Sequence, residues 1–131
     1  MIDCESEVYT RIAKVLREKF PAIDIAGEYI NAPSRFPHVS VTQSDNSVIS
    51  TQTTCCKEMA QIMFEVNVYS NKAEGKKTEC KAIMQEIDRL MFSMNATRIA
   101  LTPVPNMEDA TIYRLVARYR VASDGTHFYR R

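Results

Sequence analysis

The sequence predicts an α+β fold: two helices packed on one face of a mostly antiparallel sheet, in the order αβββαββ. Three observations predict it. Apolar residues recur at helical spacing in two segments, near either end of the first hundred residues. Two-residue alternation marks the stretches Gln61–Tyr69 and Ala110–Ser123 as strands. Each helical stripe is broad enough to require a covering layer, and a sheet with one apolar face supplies it. With 131 residues, 45% of them apolar and 25% charged, the composition is that of one ordinary domain spanning residues 1–131.

The first helix covers about Cys4 to Phe20. Val8, Ile12, Val15, Leu16 and Phe20 share one face. Asp3 is placed to be the N-cap, Glu5 and Glu7 sit where the helix dipole favours acids, and Pro21 ends the segment. Ile23–Ile30 is a short mixed strand, and the turn-rich "NAPSRFP" (Asn31 to Pro37) follows. His38–Ser44 alternates Val39 and Val41 against Ser40 and Thr42, as a half-buried strand does. Asp45–Met59 is polar and unpatterned, which predicts a long loop or an extended hairpin arm between the second and third strands.

Gln61–Tyr69 is the clearest strand, with Ile62, Phe64, Val66 and Val68 on one face. The second helix runs from about Lys76 to Met94, with Cys80, Ile83, Met84, Ile87, Leu90, Met91 and Met94 on its apolar stripe. Thr97–Thr102 is a strand, and "PVPNMED" (Pro103 to Asp109) reads as a turn. Ala110–Ser123 is the last strand. Tyr113, Leu115, Ala117, Tyr119 and Val121 face one way, and Arg114, Val116, Arg118 and Arg120 the other. Asp124-Gly125 marks a closing turn.

Composition narrows the function. The formal net charge is +1, against the clear positive excess of a protein that grips nucleic acid. No apolar run approaches twenty residues, so no membrane span is expected, and the acidic, polar start "MIDCESEVYTRIAKVL" is not that of a signal peptide. Cys4, Cys55, Cys56 and Cys80 form no C-x-x-C pair, and His38 and His127 lie far apart in sequence, so reduced thiols and no metal are expected. Cys55-Cys56 read as two ordinary loop thiols. There is no glycine-rich phosphate loop and no visible catalytic triad or carboxylate pair, so the reading is of a protein that is not an enzyme and needs no cofactor.

Lys76, Lys77 and Lys81 stand at the start of the second helix, where the dipole disfavours cations. A phosphate backbone would explain them; so would solvent, with Glu74 and Glu79 nearby. The α-β-β-β-α start and the lysine-rich "GKKTECK" resemble a double-stranded-RNA-binding module. The polar insertion at 45–59 and the two strands beyond the helix depart from that pattern.

A second resemblance covers roughly residues 5–131. "FEVNVYSNKAEGKKTECKAIMQEID", then "TRIALTPVPNMEDATIYRLVARYRV" and a final "YRR", resemble the tail terminator proteins of siphophages and prophages, a family also labelled tail completion, tail-to-head joining or minor capsid proteins. The resemblance implies an α/β unit that assembles as a homo-oligomeric ring, typically a hexamer, on the head-proximal end of the tail tube. Such a ring ends tube polymerisation and offers a surface to the head-completion or stopper protein, at the head–tail junction of the virion. DNA passes through its channel without specific binding. Another head–tail connector, an adaptor or stopper, is the neighbouring reading. On this view Asn46, Val48, Ile49, Thr51, Thr53 and Lys57 of the 45–59 arm are candidate contacts to a neighbouring subunit or the tube. Arg114, Arg118, Arg120, Lys76 and Lys77 are candidate channel or interface charges.

Overall fold

The computed structural model describes residues 1–29, 33–51, 58–105 and 111–129. Among them the elements are α1 (Glu5–Lys19), β1 (Asp24–Ala26), β2 (His38–Thr51), β3 (Glu58–Ser70), α2 (Lys76–Ser93), β4 (Thr97–Pro105), β5 (Tyr113–Ser123) and β6 (Phe128–Tyr129). This is the expected α+β architecture, extended by a short sixth strand.

Helix α1 forms where its apolar positions recur. Val8, Ile12, Ala13 and Leu16 are buried, and Tyr9 donates from its hydroxyl to the Ile25 carbonyl (3.2 Å), tying the helix to β1. The N-cap position belongs to Cys4 rather than Asp3. Asp3 lies one residue earlier, yet its carboxylate still accepts from the Glu5 N–H at 3.0 Å. One of the helix's open donors is therefore satisfied as expected, from a different position. Helix α2 starts after Gly75, whose φ of 82° is a left-handed conformation that glycine adopts without cost. Its buried stripe is Cys80, Ile83, Met84, Ile87 and Met91.

The sheet has the order β1-β2-β3-β5-β4, with β6 also paired to β5. Only β1–β2 is parallel; the other pairs are antiparallel. The register stacks apolar rows across the centre: Val39, Val68 and Leu115 in one, Val41, Val66 and Ala117 in the next. Phe64 stands beside Tyr119, and Ile62 beside Val121. These residues and the buried stripes of both helices form one apolar cluster.

Several boundaries are set by the sheet rather than by the local pattern. Strand β1 is three residues long instead of eight, because the chain bends away after Ala26. Strand β2 continues past Ser44 through Thr51, paired to β3, so for residues 45–51 the hairpin-arm alternative holds over the loop. Strand β4 runs on through Pro103 to Pro105. Prolines are tolerated there because β4 lies at the sheet edge, where one side needs no ladder donor. Strand β6 is too short to show a period.

Candidate assembly site

A groove opens beside α2. It holds about 430 Å³ and lies between α2 and the edge strand β4. Its floor is apolar, from Met84, Leu101, Pro103, Tyr113 and Leu115, and its rim carries Lys77, Lys81, Asp88 and Arg98. Asp88 is held at the rim by Arg98 (3.3 Å) and by the Tyr119 hydroxyl, which donates to it at 3.0 Å. Burial, then the Asp88 carboxylate, push the Tyr119 hydroxyl far up from its ordinary pKa, so it stays a donor. A smaller hollow next to it is lined by Asp88, Phe92, Ala96, Thr97, Arg98 and Tyr119.

Apolar exposure concentrates on this edge. Phe92, Ile99, Leu101 and Tyr129 account for four of the seven large exposed apolar side chains among the described residues. Strand β6 pairs the end of β5 whose other side is taken by β3, so β6 continues the edge in line with β4. Asn95 joins the two by donating to the Phe128 carbonyl at 2.9 Å.

The face of the sheet without helices is polar and partly closed. His38, Ser40, Asn67 and Tyr69 are buried on it. Asn67 accepts through one carboxamide oxygen from Arg114 Nε (2.9 Å) and from an Arg114 terminal nitrogen (2.8 Å). The Arg114 guanidinium also lies over the rings of Tyr29 (5.4 Å) and Tyr69 (5.7 Å). Burial raises the Tyr69 hydroxyl to about 12, against the opposing pull of Arg114. His38 Nδ1 stands 3.0 Å from an Asp24 carboxylate oxygen. Burial likewise lifts the Cys80 thiol to about 12. With Cys4 also buried and raised, neither is poised as a nucleophile.

The candidate residues therefore separate. Lys77 is on the groove rim, joined by Lys81, while Lys76 donates to the Thr111 carbonyl at 3.1 Å. Arg114 is engaged inside the subunit. Arg118 stands 3.5 Å from Glu65 with its side chain half exposed, and Arg120 is half-buried on the same face. On the arm, Asn46 donates to the Ile2 carbonyl at 2.6 Å and Val48 is exposed. The side chains of Ile49 and Thr51, and all of Thr53, Cys55, Cys56 and Lys57, lie outside the described residues. Sequence reading missed Leu101, Pro103 and Arg98 as groove residues. The available signal was the pair of prolines following an alternating run, which marks an edge strand rather than a turn.

Among the described residues, no group of three His, Cys, Asp or Glu could hold a metal ion, and no helix is long and apolar enough to cross a membrane. The chain matches no family model and no curated protein. Among solved structures it is similar to a chain of the virion of a native gene transfer agent particle. The TM-score is 0.62 at 14% identity, over 88% of this chain and 90% of that one. The likeness is one of fold.

Proposed function

We propose that this chain is a structural component of a virion, and within that class a tail terminator. The observation that carries the reading is the virion chain's fold, shared over nine-tenths of both chains. The motif run from "FEVNVYSN" to "ARYRV" points to the terminator role specifically. In this reading the protein forms a ring, six-fold in the family it resembles, on the head-proximal end of the tail tube. By occupying the tube end it blocks the next tube subunit, and it presents the head-completion protein with a docking surface around the DNA channel. The action is steric and uses no chemistry.

The geometry supports it in two ways. The subunit has an apolar edge that a ring neighbour can cover. Arg114 and Arg118 of the helix-free face are engaged within the subunit, by Asn67 and Glu65, which suits a passage that DNA slides through rather than one that holds phosphate. Arg118 and the 45–51 arm remain the candidate charges and contacts toward a channel, neighbour or tube.

The test is electron microscopy of tails from the producing phage, with and without the gene. The expected result is normal tails capped by an annular density, and tails of uncontrolled length without joined heads when the gene is deleted. Normal virions from the deletion strain would sink the proposal.

A further inference from the structure

We infer that the α2–β4 groove is the seat of a second copy of this chain, joined head to tail through the opposite sheet edge. The inference rests on the ring reading above and names the surfaces that would build the ring.

The groove pairs an apolar floor with two cations. Lys77 and Lys81 are exposed, and neither has a partner among the described residues. A two-fold interface centred on these lysines would bring them against their own copies, and like charges brought together oppose association. Pro103 and Pro105 have no N–H to give a further strand, so whatever meets this part of the β4 edge is held by side chains rather than by a continuous ladder. A surface that carries acids suits the lysines better, and a contact between two different surfaces of one chain is heterologous.

The opposite edge fits. Glu28, just past β1, is exposed and without a partner among the described residues, and so is Glu18 near the end of α1. Helix α1 also carries Lys14 and Arg17, which makes Glu28 the cleaner counterpart. Direction agrees as well. Strand β4 is antiparallel to β5, β5 to β3 and β3 to β2, while β1 is parallel to β2. So β4 and β1 run in opposite directions. Repeating the subunit about an axis along the strands sets β4 against the next copy's β1 in antiparallel sense, with all helices on one side.

Sedimentation velocity of the full chain at micromolar to near-millimolar concentration tests this, alone and with purified tail tubes. The variants are Leu101→Asp, the pair Lys77→Glu/Lys81→Glu, and that pair combined with Glu18→Lys/Glu28→Lys. All substitute exposed residues, and thermal melts confirm that each is folded. The expected result is a closed oligomer for the parent, monomer for the first two, and recovered oligomer for the charge swap. Parent-like assembly by Leu101→Asp and by the lysine pair overturns the groove inference and leaves the ring standing. A parent that stops at a two-fold dimer also overturns it. A parent that is monomeric throughout, tubes included, takes down the ring reading itself.

Discussion

The two faces of the sheet bury their residues by different means. On the helix side, Val39, Val41, Ile62, Phe64, Val66 and Val68 are sealed beneath α1 and α2, with no polar group to satisfy. On the other side His38, Ser40 and Asn67 are just as inaccessible, though no helix lies over them. There the sheet is held by directed bonds: Asn67 to Arg114, Asp24 to His38, and Arg114 against two tyrosine rings. The first face tolerates no lost volume. The second depends on the partners it has: Asn67 Oδ1 and His38 Nδ1 are engaged, while His38 Nε2, Ser40 Oγ and Asn67 Nδ2 are buried without a hydrogen-bond partner among the described residues, and each further unpaired group would forfeit its hydration without return.

Substitutions can break this contrast, beginning with the largest effect. Phe64→Ala removes a fully buried ring from the helix side and is expected to cost about 3–5 kcal/mol by denaturant unfolding. Asn67→Ala leaves less volume behind but strips Arg114 of its acceptor, and should cost about 1.5–3 kcal/mol. A double-mutant cycle with Arg114→Met sharpens the point. Strong coupling places the cost in the bond, and simple additivity assigns it to packing.

Tyr119→Phe crosses both regimes, since its ring is buried and its hydroxyl donates to Asp88. A loss of about 1 kcal/mol is expected, because Arg98 remains on the carboxylate. Arg118→Ala tests the solvated part of the polar face. With the pair to Glu65 at 3.5 Å and half exposed, the change should stay under about 1 kcal/mol and fade with salt.

Asp124 lies beyond both faces, in the β5–β6 turn. It accepts from the backbone N–H groups of His127 (2.8 Å) and Thr126 (2.9 Å), which lower its pKa to about 2 from 3.8. A carboxylate depressed in the folded state adds stability above its unfolded pKa and loses it as pH falls through the folded one. The turn's contribution should therefore persist to about pH 4 and disappear toward pH 2. Carbon-13 detection of the Asp124 carboxyl in an NMR titration measures this directly. A midpoint at the ordinary value of 3.8 would contradict it.

Much of the fold was legible because period and burial coincide. Val8, Ile12 and Leu16, and Ile83, Ile87 and Met91, are spaced for one helix face and lie in the core. The alternation at Ile62–Val68 and Leu115–Val121 put the right residues toward the helices. Less of the candidate site was legible. Lys76, Lys77 and Lys81 looked equivalent in the sequence, yet one is tied to a carbonyl and the other two rim the groove. Arg114, Arg118 and Arg120 lie on one face, yet Arg114 meets an asparagine across the strand pair while Arg118 meets Glu65.

What the sequence alone determined was the local pattern. Two amphipathic helices, alternating central strands and a near-neutral charge follow from the order of residue types, because period and composition are properties of a short stretch of chain. What the tertiary structure decided was adjacency. It brought β5 between β3 and β4, left Pro103 and Pro105 on an edge, and set Asn67 beside Arg114, forty-seven residues apart. Only strand pairing across the chain makes such neighbours, and no local pattern encodes which strand will lie next to which.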